Sequence, residues 1–141
     1  MRNETTLGVA ASREAVWKVL IDVESWPDLT PSMSSVRKLD AGPLRAGTRV
    51  RIRQPKLPPA VWTVTEIVEP ERFVWTARGP GFRTTASHEI VAEEGSTLLR
   101  LAVEQSGPLA GVVSRLGRSL TDRYIALEAA GVKRRAEEEG S

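Results

Sequence analysis

The chain has 141 residues, 40% of them hydrophobic and 27% charged, the balance of a folded domain rather than a disordered one. Its 20 basic and 18 acidic residues leave a net charge of +2, too weak a bias to point to nucleic acid. No cysteine and a single histidine exclude disulfide scaffolds, thiol catalysis, Cys-based metal sites and poly-His metal sites. No apolar run approaches the ~20 residues of a membrane-spanning helix, and no apolar signal region follows Met1-Arg2. The expectation is one domain over residues 1–141, cytoplasmic, monomeric or homodimeric, with no metal, no cofactor, no nucleic-acid partner and no stable membrane insertion.

Asn3 to Ala10 reads as a strand. Ser12 then stands as an N-cap before Arg13-Glu14, opening a helix with Val16, Trp17, Leu20 and Ile21 on one face. Glu24 to Asp28 forms a second short helix, closed off around Pro31. From Ser34 the period changes to two. Val36 to Asp40 is a strand, Ala41-Gly42-Pro43 and Ala46-Gly47 are turns, and Thr48 to Gln54 sets Val50, Ile52 and Gln54 against Arg49, Arg51 and Arg53. After the stiff loop Pro55 to Pro59 come four strands: Ala60 to Glu69, Arg72 to Gly79, Phe82 to Glu93 and Ser96 to Ser106. Their joints are short enough for hairpins, so the sheet is an antiparallel meander. Strict alternation past Val64 would bury Glu66, so a bulge that turns Ile67 inward is expected.

Pro108 begins a terminal helix. Leu109, Val113, Leu116, Leu120, Tyr124, Leu127 and Gly131 form its apolar line, and it ends in the charged tail Lys133 to Glu139, of which Arg134 to Glu139 are a frayed, solvated helix end. The predicted class is therefore α+β: a curved antiparallel β-sheet wrapped around a long C-terminal helix, with two short helices after the first strand. Such a sheet gripping one helix encloses space between them.

Ala11-Ser12-Arg13-Glu14-Ala15-Val16-Trp17 leads to Asp22-Val23-Glu24-Ser25-Trp26-Pro27, and Trp62-x-Val64 precedes Pro70-Glu71-Arg72-Phe73-Val74-Trp75. Ser106-Gly107-Pro108-Leu109 stands before the last helix, which carries Tyr124-x-x-Leu127-Glu128. In this order and spacing the chain resembles the START/Bet v 1-like (SRPBCC) superfamily, in its bacterial polyketide cyclase/dehydratase branch. The resemblance implies the helix-grip fold and a hydrophobic cavity between the sheet and the long helix. It also implies, for the aromatic cyclases, cavity Trp, Tyr and Arg residues that hold a poly-β-ketone chain. The tryptophans match, whereas Arg49, Arg51 and Arg53 alternate toward solvent.

Trp62 with Val64, and Phe73 with Trp75, share inward strand faces. Trp17 and Trp26 are read as structural, Trp26 wedging the corner between the helices. His88 alone has an unperturbed pKa near neutrality; it lies on a strand face with Phe82, Thr84 and Ile90 and is either a core residue, a polar anchor or a general base. Gln54 and Gln105 fall on inward alternations and can hydrogen-bond a ligand carbonyl. Tyr124, Leu120 and Leu116 sit on the helix line. The ligand-binding candidates are thus Gln54, Trp62, Val64, Phe73, Trp75, His88, Gln105, Leu116, Leu120 and Tyr124; the catalytic candidates are His88 and Tyr124. The function expected is binding of a hydrophobic small molecule, aromatic, polyketide-like or lipid, in the internal cavity. The alternatives are a polyketide cyclase/dehydratase and a lipid-quinone or respiratory accessory protein.

Overall fold

In the computed structural model, which describes residues 2–139, seven strands form one sheet in the order β1-β7-β6-β5-β4-β3-β2. The strands are β1 (Arg2–Val9), β2 (Ser35–Lys38), β3 (Arg49–Arg53), β4 (Ala60–Val68), β5 (Arg72–Gly79), β6 (Phe82–Glu93) and β7 (Ser96–Ser106). Every neighbouring pair is antiparallel. Met1, Gly140 and Ser141 of the expected 1–141 span lie outside the described residues. Helix α1 (Arg13–Ile21) and α2 (Trp26–Leu29), with a 3-10 turn at Val23–Ser25 between them, follow the first strand. Helix α3 (Ala110–Glu139) closes the chain, giving the expected helix-grip architecture.

Local chemistry sets these bounds. The Ser12 hydroxyl accepts from the Ala15 backbone N–H, so the N-cap read from the sequence is made. The register of β4 on β5 shifts between Val64 and Glu66. That bulge leaves Glu66 outside, paired with Arg72 at 2.6 Å, and sets Ile67 opposite Phe73 against the core. Val50 and Ile52 are buried while Arg49, Arg51 and Arg53 are exposed, as their alternation requires.

The core fills the space between α1, α2 and the C-terminal half of α3 on one side and the sheet on the other. Val16, Leu20, Val23, Phe73, Leu99, Ala129 and Ala136 are essentially sealed from water. Each fully buried Leu, Val or Phe contributes about 1.5–3 kcal/mol. Gly131 marks the closest approach: a Cβ there would stand 2.4 Å from the Leu29 carbonyl oxygen. That same oxygen, at the end of α2, accepts from the Arg134 guanidinium at 2.9 Å.

Two expectations for α3 are corrected. The buried line is Ser114, Tyr124, Ile125, Ala129, Gly131, Val132 and Ala136, not the line through Leu109 and Leu116. Leu116 is 84% exposed and Leu109 48%. Counting large apolar residues misplaced the face because the helix packs closely through small ones, Ser114 among them, and mostly in its C-terminal half. The tail is also docked rather than frayed. The Lys133 ammonium donates to the Gly8 carbonyl at 2.8 Å, and the Glu137 carboxylate accepts from the Ala10 N–H at 2.8 Å. No helix among the described residues is long and apolar enough to cross a membrane.

Candidate functional site

Between the inner face of the sheet and the N-terminal half of α3 lies a chamber of about 740 Å³. Inward positions of β3 to β7 build its wall, and Val113, Gly117, Leu120, Thr121, Tyr124 and Glu128 of α3 close it. These helix residues recur every three or four positions, so one face of α3 looks into the chamber. Exposed Leu57, Pro58, Arg78 and Pro80 border the opening to solvent.

Seven of the ten ligand-binding candidates line this chamber: Gln54, Trp62, Trp75, His88, Gln105, Leu120 and Tyr124. Val64 and Phe73 do not; both are core residues behind the wall. Leu116 points to solvent, one helical position away from the lining residue Gly117. Trp26, read as structural, does both jobs: its indole N–H donates to the Leu20 carbonyl at 3.1 Å while its ring borders the chamber. Trp17 stays structural, donating to the Glu69 carboxylate at 3.1 Å.

Aromatic rings surround His88. It stacks on Phe73 with centroids 4.0 Å apart and planes at 12°, and meets Trp75 and Trp26 at 5.3 and 5.6 Å. Its Nδ1 lies 3.1 Å from the Phe73 carbonyl oxygen. A carbonyl only accepts, so Nδ1 carries the proton and Nε2 is an acceptor. Burial among these rings pushes the imidazole down from 6.5 to about 4, which the Phe73 bond only partly offsets. The match to neutral pH expected of this residue as a general base is therefore lost: at pH 7 it is a neutral acceptor with weak basicity.

Sequence reasoning missed Glu128 as a site residue. It borders the chamber and also the narrow cleft beneath it, whose wall it shares with His88, Trp26 and Thr30. No cation pairs with it among the described residues. Burial pushes its carboxyl up from 4.5 to about 8, so near neutrality it is protonated and can donate. Its position four residues after Tyr124 was the available signal, since that spacing places both on one helix face.

The remaining polar candidates are partly engaged within the protein. Tyr124 donates its hydroxyl to the Pro55 carbonyl, tying α3 to the β3–β4 loop, and this commits the proton it would need as a catalytic acid. Gln54 donates to the Ser32 carbonyl at 3.3 Å, and Gln105 accepts from the Ser114 hydroxyl at 2.7 Å. Thr84 also faces the chamber. Among the described residues no group of three His, Asp or Glu is placed to hold a metal ion.

The whole architecture recurs in solved structures. The protein TTHA0849 from Thermus thermophilus matches with a TM-score of 0.78 at 17% identity, covering 100% of both chains. The Zhui aromatase/cyclase from Streptomyces sp. R1128 matches with a TM-score of 0.79 at 20% identity, covering 99% of this chain and 94% of that one. A START superfamily protein from Mycobacterium smegmatis gives 0.72 at 19% identity, covering 94% and 97%. At such identities these likenesses establish the fold alone. No curated protein matches the chain in sequence. The family model described as polyketide cyclase / dehydrase and lipid transport matches residues 2–137, and the chain belongs to that family.

Proposed function

We propose that the protein binds a hydrophobic small molecule, aromatic, polyketide-like or lipid, in the chamber between the sheet and α3. The chamber itself carries this reading: about 740 Å³ falls within the ~300–1,000 Å³ of small-molecule sites. Trp26, Trp62 and Trp75 supply flat apolar area, and the inner polar groups are uncharged at neutral pH. Glu128 donates and His88 accepts, a set that suits a neutral ligand bearing a carbonyl or hydroxyl. The family description, which joins cyclase and dehydrase chemistry to lipid transport, supports the same ligand class.

Titration with the neutral fluorophore N-phenyl-1-naphthylamine tests the reading. Saturable binding near 1 μM, about 8 kcal/mol, is expected, with quenching of tryptophan emission and several-fold weaker affinity in Trp62→Leu. Non-saturable uptake, or unchanged affinity in the variant, refutes it.

One observation favours a second reading, a cyclase or dehydratase: Glu128 and His88 share one cleft. Loss of water from a β-hydroxyketone needs a proton delivered to the leaving hydroxyl and another removed from the neighbouring carbon. Protonated Glu128 can deliver the first, and His88 Nε2, although a weak base, can receive the second from a carbon already acidified by the adjacent carbonyl. Turnover of a β-hydroxyketone mimic, lost in Glu128→Gln with probe binding retained, would promote this reading. Absence of turnover in the native protein removes it.

A further inference from the structure

The opening of the chamber carries two features that the binding of a ligand inside does not use. The first is exposed apolar surface. Leu57 stands on one side of the opening, 44% exposed. On the other side Leu109, just before α3, and Val112 and Leu116 on its first turns are spaced three and four apart on one flank, with 48%, 57% and 84% of their surface in water. Leu109 is fixed beside the β5–β6 turn, its N–H donating to the Gly81 carbonyl at 2.8 Å. Leu109 packs partly on Gly81, yet each of these side chains leaves two fifths or more of its surface in water, and Leu116 most of it, which marks a contact surface.

The second feature is charge. The segments that frame the opening, residues 54–63, 76–87 and 107–117, hold Lys56, Arg78, Arg83 and Arg115 and not one Asp or Glu, although the chain has 18 acidic residues. All four cations are exposed, and none forms an ion pair among the described residues. Arg78 stands directly opposite Arg83 across the β5–β6 ladder. Like charges in that position cost stability, so the pair is not there to hold the sheet. Elsewhere Arg49 pairs with Asp40, Arg72 with Glu66, and Arg100 with Glu4 and Glu89, while Arg37, Arg51 and Arg53 form no ion pair among the described residues; the rim segments differ in holding no carboxylate at all.

From this combination we infer that the rim of the chamber docks on the surface of an anionic lipid membrane, with Leu57, Leu109, Val112 and Leu116 entering the headgroup boundary and Lys56, Arg78, Arg83 and Arg115 meeting lipid phosphates. Exposed apolar side chains with unpaired cations nearby, in segments free of carboxylates, fit an interface that is greasy below and negative above. A second copy of the chain fits badly, because its own rim would bring the same positive charge. Docking here turns the opening toward the bilayer, so an apolar ligand moves between membrane and chamber without crossing water. The docking extends the small-molecule reading but stands or falls separately, since vesicle binding is measured without any ligand.

The test is co-sedimentation of the full chain with vesicles of phosphatidylcholine alone and of phosphatidylcholine with phosphatidylglycerol. Binding to the anionic vesicles at least tenfold tighter than to neutral ones is expected, weakening as salt rises from 0.1 to 0.5 M, because short-range screening removes the phosphate contribution (roughly a tenfold effect over a few charges). Leu116→Ser should weaken it about fivefold, and the Lys56→Glu/Arg115→Glu pair more than about tenfold. Leu39→Ser, an exposed apolar residue beyond β2, should leave it unchanged. Failure to bind anionic vesicles, or equal binding by the native chain and both rim variants, overturns the inference. A dimer in sedimentation velocity that Leu116→Ser dissolves, without vesicle binding, overturns it in favour of self-association.

Discussion

Glu128 gives the protein a pH dependence whose sign is opposite to that of ordinary acid denaturation, and the Glu128→Gln substitution isolates it. In the folded chain the carboxyl holds its proton up to about pH 8, whereas the unfolded chain releases it near 4.5. Between these values the unfolded state binds fewer protons, so stability falls as pH rises. His88 works the other way. Its folded value is lowered from 6.5 to about 4, so its contribution is fully present above 6.5 and is lost as pH falls toward 4. From 4.5 to 6.5 the two slopes cancel, and from 6.5 to 8 Glu128 acts alone. At 1.36 kcal/mol per pH unit, that window of one and a half units removes up to about 2 kcal/mol. Urea unfolding followed by tryptophan emission at pH 5, 6.5 and 8 reads the effect directly. The native protein should hold its midpoint from pH 5 to 6.5 and lose ground by pH 8. Glu128→Gln should gain stability from 5 to 6.5 and keep it at 8. Parallel profiles for the two proteins would refute a protonated Glu128 at the chamber wall.

Two further outcomes probe how α3 is seated. Val132→Asp places an unpaired charge in the core and should cost ~3–5 kcal/mol, while Leu116→Asp, on a side chain already in water, should stay within about 0.5 kcal/mol of native; equal losses in thermal melts would contradict the helix face described here. Gly131→Ala drives a methyl group into the Leu29 carbonyl and should cost ~1–3 kcal/mol in urea unfolding, so an unchanged midpoint would mean that α2 and α3 are not in such close contact.

Strands and turns were legible because each hairpin is written in residues with few other uses. Gly79-Pro80-Gly81 and Glu94-Gly95 ended strands where the alternation stopped, and β5, β6 and β7 have the bounds read from the sequence. The bulge after Val64 followed from one charged residue that could not be buried. Helix α3 was harder. Its chamber-facing line mixes Gly117, Thr121 and Glu128 with Leu120 and Tyr124, so hydrophobicity does not trace it. Its exposed flank carries Leu109, Val112 and Leu116, which imitate a core stripe. A wall that faces a chamber is free to be polar where a wall that faces packed side chains is not, and periodicity alone cannot tell the two apart. The shift of His88 away from neutrality was hidden for a related reason: it depends on rings from β5 and α2 that meet only in three dimensions.

The pairing of β1 with β7 has a consequence for how the chain is made. Thr5 lies opposite Leu101, and Val9 opposite Thr97, so the first strand finds its partner only after some ninety further residues have been synthesised. Until then the β2-to-β6 meander can assemble by local hairpins, while Leu7 and Val9 wait on a strand with nothing beside it. Contacts this distant in sequence slow the search for the native state. A ribosome stalled before Ser96 would therefore leave β6 and the inner side of β1 unpaired, each a template for another nascent chain, and release of β7 pairs both at once while β1 remains the native edge of the sheet.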